Sequence, residues 1–164
     1  MFGVGVTETR SQLVEFSLPY LQSDIYLVTL KTNRSIQKWS DIDATGKVVA
    51  VQKDTFMEPA LKKHLKKAEI VIATNSGERE RLLESGRADA FATDFPYSRR
   101  VLTNYDWIKV ISPDKPVAVV NYAYAMKAGD PLFVQRVNEF VNTIKKDGRL
   151  NNFAKKHGLS EIVK

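Results

Sequence analysis

Short β-rich runs alternate with segments of helical period along most of this chain, and that alternation limits its folds more than any other feature. The strand candidates are Ile25–Lys31, Lys47–Gln52, Glu69–Ala73, Ala88–Thr93, Trp107–Ile111 and Val119–Met126. Between them, apolar spacing predicts helices over Phe56–Lys67, Gly77–Ser85 and Tyr97–Thr103. Strand–helix–strand alternation favours an α/β fold with a mostly parallel sheet and helices on its faces. The 164 residues suit one domain or two small lobes, and 43% hydrophobic content argues against disorder.

Local punctuation supports the helices. Ser76 can cap the segment that ends at Ser85–Gly86, since glycine is the usual residue just past a helix end. Pro96, after Asp94–Phe95, suits a first helical turn. Asp130–Pro131 opens a long helix whose Phe133, Val137, Phe140, Val141 and Ile144 fall on one face, and Gly148 follows it. A short helix over Leu150–Lys156 ends before Gly158. One start stays open. Thr55 and Glu58 read as a capping box that leaves Pro59 one position late, while a start at Glu58 puts Pro59 first.

Several chemistries are excluded. Without cysteine there are no disulfides, thiolate zinc sites or cysteine nucleophiles. His64 sits among lysines and His157 beside the final glycine, and both read as surface histidines. No phosphate loop, nucleophile elbow or histidine pair is present, so no catalytic residue, metal or cofactor is expected. Glu78, Glu80 and Glu84, interleaved with Arg79 and Arg81, read as a solvated, salt-bridged helix face. The net charge of +6 is spread along the chain. Its densest cluster, Lys62, Lys63, Lys66 and Lys67, would face water while Leu61 and Leu65 face inward. With no aromatic residues interleaved, a nucleic-acid partner is not expected. No apolar run approaches the roughly 20 residues that span a bilayer, and the first residues do not read as a signal peptide.

Four motifs in order carry the functional signal. They are Gly3–Arg10 followed by Phe16-Ser17-Leu18-Pro19-Tyr20; Gly46-Lys47 opening a strand; Gly86-Arg87-Ala88-Asp89-Ala90 leading to Asp94; and Lys146-Asp147-Gly148. Together they resemble the extracytoplasmic solute-binding proteins of polar amino-acid ABC transporters, the type II periplasmic binding proteins of family 3. The resemblance implies a two-lobed α/β fold joined by two crossing strands, with a small ligand clamped between the lobes. It places residues 1–27 in a remnant of lobe one. Residues 28–116 would form a crossing strand and lobe two, and residues 117–164 the return strand and the last helices of lobe one. Family members begin with further lobe-one elements, so the sequence is similar to an N-terminally truncated member.

The resemblance also names a site. Arg10 matches the family's carboxylate ligand and Asp94 its ammonium ligand. A planar guanidinium pairs with a carboxylate in two parallel hydrogen bonds, and the two ends of a zwitterion are costly to bury unpaired. Backbone N–H groups near Thr55 and Phe56, at a helix start, would add donors. Three positions depart from the pattern: Gly5 replaces a hydroxyl residue, Asp54 the glycine of a Gly-Thr-Thr turn, and Phe56 its second hydroxyl. These changes weaken an amino-acid site or favour a ligand with a positive charge near Asp54; alternatively Asp54 only caps the helix. Tyr20, Tyr122 and Tyr124 read as packing residues.

The resemblance thus implies a non-enzymatic module that binds an amino acid outside the cytoplasm and serves a membrane permease or a sensor protein. Two rivals remain in view. A dehydratase acting on cyclohexadienyl acids shares the fold and would need a general acid, for which Glu58 and Asp54 are nearest. A fragment that binds nothing would instead self-associate as a homo-oligomer through uncovered lobe-one surface.

Overall fold

The computed structural model describes residue 1, residues 3–75 and residues 77–164, and the chain divides into two compact units. One comprises Met1–Ser23 with Val119–Lys164; the other is Asp24–Ala118. The expected cap Ser76 lies outside the described residues. The first unit opens with β1 (Val4–Gly5), α1 (Glu8–Ser11), β2 (Glu15–Phe16) and β3 (Leu21–Ser23). The second unit then runs through β4 (Tyr26–Leu30), β5 (Val48–Gln52), α2 (Met57–His64), β6 (Glu69–Ala73) and α3 (Glu78–Glu84). It finishes with β7 (Ala90–Thr93), α4 (Phe95–Asn104) and β8 (Ile108–Ile111). The chain returns to the first unit as β9 (Val120–Ala123), β10 (Ala125–Met126), α5 (Pro131–Lys146) and α6 (Arg149–Lys156).

The second unit is built on a five-stranded sheet in the order β6-β5-β7-β4-β8. Side chains alternate across it. Leu27, Val49, Val51, Ala90 and Ala92 join Trp39, Ile42 and Leu61 on one face. On the other, Val28, Ala50 and Phe91 pack with Leu82, Leu83, Val101 and Ile108. Burial on both faces explains why these strands read as unbroken apolar runs. The sheet is mostly parallel, as expected, with β4 alone reversed. β5 runs parallel to β6 and β7, but β4 is antiparallel to both β7 and β8. The link from β4 to β5 holds a 3-10 turn at Trp39–Ile42.

The open start of α2 resolves as neither alternative. Phe56 is the N-cap and Met57 the first helical residue, so Pro59 stands third. An N–H in that first turn has no intrahelical partner, so its absence removes no bond. Leu61 and Leu65 are buried and Lys62, Lys63, Lys66 and Lys67 exposed, as the pattern predicts. His64 is exposed and packs edge-on against the Trp39 ring at 5.0 Å. After α2, the Asp43 carboxylate accepts the N–H groups of Lys66, Lys67 and Ala68 at 2.8, 2.7 and 3.2 Å. Burial alone would raise that carboxyl, but the three N–H groups and the Lys67 charge hold it below the ordinary aspartate range. A depressed folded pKa means the stabilisation is fully present above the ordinary aspartate value and is lost as pH falls through the folded one. The stability gap between wild type and Asp43→Asn, read by urea unfolding, is therefore expected to be widest at neutral pH and to close in acid.

In the first unit, β9 lies between β1 and β3, antiparallel to both, and β10 pairs with β2. The single run expected over Val119–Met126 is thus two strands. It changes partners at Tyr124, whose N–H donates to Ser17 Oγ at 3.0 Å while its carbonyl accepts the Ser17 N–H. The α5 helix forms as expected, and its apolar stripe is buried only toward its C-terminal end. Val141 and Ile144 are buried with Tyr20 and Leu150, but Phe133 and Phe140 stay exposed, and Phe140 meets only the Tyr124 ring edge-on among described ring contacts. Among the described residues no helix is long and apolar enough to cross a membrane.

Candidate functional site

Arg10 follows from the way the chain leaves β1. Thr7 is extended at the N-cap of α1 and its Oγ1 accepts the Arg10 N–H at 3.3 Å. The half-buried Arg10 side chain then turns back, and its Nη1 donates to the Gly5 carbonyl at 2.9 Å. Gly5 is buried and pairs with Tyr122 across β1 and β9. With no side chain at position 5, Gly5 contributes a carbonyl that orients the guanidinium and no hydroxyl.

The Phe16–Tyr20 motif is structural. Leu18 N–H donates to Asn138 Oδ1 at 2.7 Å, and Lys145 Nζ donates to the Pro19 carbonyl at 2.7 Å, so both bind this loop to α5. Tyr20 is buried, and its hydroxyl accepts the Gly3 N–H at 2.7 Å. Burial raises its pKa against the lowering effect of that bond. Tyr20 and Tyr124 stack at 4.9 Å. These tyrosines, with buried Tyr122, are packing groups.

Asp94 closes β7 in the second unit. It is the N-cap of α4, and its Oδ1 accepts the Tyr97 N–H at 2.9 Å. The preceding motif is a lock. Asp89 Oδ1 pairs with Lys47 Nζ at 2.9 Å, and its Oδ2 accepts the Val48 N–H at 2.9 Å. The Asp89 carbonyl takes the Thr29 hydroxyl at 2.7 Å. The glycine–lysine strand and the Asp89 motif therefore pair with each other, fixing β5 beside β7.

Asp54, Thr55 and Phe56 form the turn between β5 and α2. Asp54 has φ 61, the only non-glycine positive φ among the described residues. That is the left-handed region glycine enters freely and aspartate tolerates, which accounts for the glycine expected there. Its N–H donates to Glu58 Oε2 at 3.2 Å, and the Thr55 hydroxyl turns back to the Gln52 carbonyl at 2.8 Å. Phe56 packs against the core below. We expect Asp54→Ala to lower stability by about 1 kcal/mol and Asp54→Gly to leave it unchanged or higher. Urea midpoints would check this order.

The solvated face expected over Glu78–Glu84 holds at Arg81 and Glu84, which are exposed, and is corrected at Arg79 and Glu80. Arg79 and Glu80 are 8% and 4% exposed. Arg79 Nη1 donates to the Ala92 carbonyl at 2.8 Å, and the Tyr97 hydroxyl donates to Glu80 Oε1 at 2.7 Å. A four-residue charge run signals a surface only when its helix has a free face. α3 is seven residues long, and Leu82 and Leu83 turn it into the core. Elsewhere, a hollow of about 360 Å³ inside the first unit is lined by Val6, Ser11, Val14, Glu15, Phe16 and Pro131 among others. Neither Arg10 nor Asp94 lines it.

Comparison with known proteins places these features in context. The sequence pattern of the bacterial extracellular solute-binding proteins, family 3, matches residues 1–160. The cyclohexadienyl dehydratase of Pseudomonas aeruginosa is 24% identical over 151 residues, covering 92% of this chain and 56% of that protein. Among solved structures, the ancestral amino acid-binding protein AncCDT-1, a precursor of cyclohexadienyl dehydratase, is 30% identical with a TM-score of 0.81. The match covers 94% of this chain and 66% of that one. AbpA of Streptococcus pneumoniae, an amino acid ABC transporter substrate-binding protein bound to L-arginine, is 25% identical with a TM-score of 0.83, over 99% of this chain and 68% of that one. The chain spans under two thirds of the length of the curated relatives it matches.

Proposed function

Because the chain belongs to family 3 of the bacterial extracellular solute-binding proteins, we propose that it binds an α-amino acid, with Arg10 receiving the carboxylate and Asp94 the ammonium. The observation that carries the reading is that each group is already oriented by a backbone partner at 2.9 Å, the Gly5 carbonyl for Arg10 and the Tyr97 N–H for Asp94. Pre-oriented charges lose less freedom on binding, so more of each ion pair appears as affinity. First-turn N–H groups of α2, beside Thr55 and Phe56, supply further donors to a carboxylate. Asp54 adds a negative charge at the same turn and favours a cationic side chain, in keeping with the L-arginine bound by AbpA.

The bound solute would pass to an ABC-type permease or be read by a sensor protein outside the cytoplasm, where this family works. Exposed Leu13, Leu132, Phe133 and Phe153 give the first unit an apolar surface through which copies would associate. Light scattering that finds a strict monomer would remove that part of the proposal.

A thermal-shift screen of the twenty amino acids tests the central claim. At a hundredfold excess over Kd, a ligand adds about 2.7 kcal/mol to the folded state. The expected outcome is a stabilising hit that disappears in Asp94→Ala. A hit that persists would remove Asp94 from the site.

The dehydratase relative supports a second reading, in which the bound acid is also turned over. Glu58 argues against it. Its hydrogen bond from Lys62 Nζ at 2.6 Å, helped by the Asp54 N–H, holds the carboxyl below the usual glutamate range. A general acid needs the opposite shift. Turnover of prephenate or arogenate would restore the enzymatic reading.

A further inference from the structure

We infer that Arg79, Glu80 and Tyr97 form a buried polar brace that positions Asp94, a role that rests on Asp94 being the ammonium ligand proposed above. The brace holds the chain on both sides of that residue. Two residues before Asp94, the Ala92 carbonyl at the end of β7 accepts Arg79 Nη1 at 2.8 Å. Three residues after it, Tyr97 sends its hydroxyl to Glu80 Oε1 at 2.7 Å and its N–H to Asp94 Oδ1 at 2.9 Å. The Arg79 guanidinium lies 4.8 Å from the centre of the Tyr97 ring and 5.3 Å from that of Phe91, so it also sets the ring that carries the hydroxyl. α3 thus grips the turn from β7 to α4 at two points, one on each side of the carboxylate.

Stability alone does not account for this arrangement. Removing an arginine and a glutamate from water is expensive, and well-packed apolar residues usually stabilise such a place as well or better. Here the cost is not even fully offset by hydrogen bonds. Arg79 Nε and Glu80 Oε2 are buried with no hydrogen-bond partner. What the polar groups add is direction. Each bond holds one atom of the turn in direction as well as distance, so loss of a bond lets the turn shift. An ammonium is recognised by a short charge-assisted hydrogen bond, and such a bond is sensitive to that shift.

Tyr97→Phe and Glu80→Gln test the brace, since both keep the size of the side chain and the Tyr97→Phe ring still meets Arg79. Hydrogen exchange at the amide of residue 97, which reports the bond to Asp94, is the first readout, with the amide of Val71 on β6 as reference. Exchange at residue 97 is expected to quicken about tenfold in both variants while Val71 is unmoved. Equal changes at both amides mean a purely structural role, and no change at residue 97 means no role; either result overturns the proposal. The second readout is the Kd of L-arginine and of 5-guanidinopentanoate, the same molecule without its α-amino group. Tyr97→Phe is expected to weaken L-arginine several-fold and to spare the des-amino acid. If Asp94→Asn weakens L-arginine and Tyr97→Phe does not, the brace is wrong and the ligand assignment stands. If Asp94→Asn changes neither compound, the assignment of Asp94 fails; if wild type binds neither, L-arginine is not the ligand; in both cases the exchange data alone decide whether the turn is braced.

Discussion

Arg10→Ala is expected to weaken amino-acid binding by about 3 kcal/mol, roughly a hundredfold, while leaving the fold intact. Two costs need to be separated. Within the protein, the half-buried side chain donates to the Gly5 carbonyl at 2.9 Å. Losing a bond of that kind costs about 1 kcal/mol. The ligand loses more, because its carboxylate would be taken from water with no guanidinium to receive it. Arg10→Lys separates charge from geometry. An ammonium keeps the charge but cannot present two parallel N–H groups, so it should recover part of the affinity and none of the bidentate fit. Calorimetry with the amino acid found in the screen would read all three proteins. Equal affinity in wild type and Arg10→Ala would remove Arg10 from the site.

The motif that singles out Arg10 was legible because it is local, running from Thr7 through Tyr20. What orients the residue was not. The Gly5 carbonyl reads as an absent hydroxyl in the sequence, and only the fold shows it accepting from Nη1. The same division holds for the architecture. Glu69–Ala73 is a strand with the bounds its β-rich run predicts, because burial on its sheet matches the local pattern. By contrast β1, β2 and β3 are two or three residues long. Each pairs with a strand about a hundred residues away, so no local period announces them. β4 was legible as a strand, yet its reversed direction shows only in its pairing with β7 and β8, distant strands that no local period announces. The largest miss was Arg79 and Glu80. Alternating charge on a helix means water in most chains, and here it means a buried brace, a distinction set by what α3 packs against.

Asp24→Ala should have the largest effect on stability, about 3 kcal/mol. Asp24 is the first residue of the second unit, and Val117 and Ala118 are its last. One carboxylate joins these ends. Its Oδ1 accepts the N–H groups of Ile25 at 2.7 Å and Ala118 at 2.8 Å, and its Oδ2 accepts the Val117 N–H at 3.0 Å. Hydrogen bonds to an ionised acceptor are worth about 1.5–3 kcal/mol each, and alanine would leave three amides without this partner. Water can reach some of them, which brings the expected loss below the sum. Ile25 next to it is fully buried and packs with Leu27 and Trp39, whose Nε1 donates to the Ile25 carbonyl at 3.0 Å. Loosening position 24 therefore loosens the start of the core. Asp24→Asn keeps one acceptor oxygen and should recover about half of the loss. For a chain of this size the alanine variant would melt roughly 10 °C lower. Hydrogen exchange at Val117 and Ala118 should quicken in both variants, most in Asp24→Ala. A loss under about 1 kcal/mol, with those amides still protected, would mean that the two ends of the unit are held by apolar packing and not by the carboxylate.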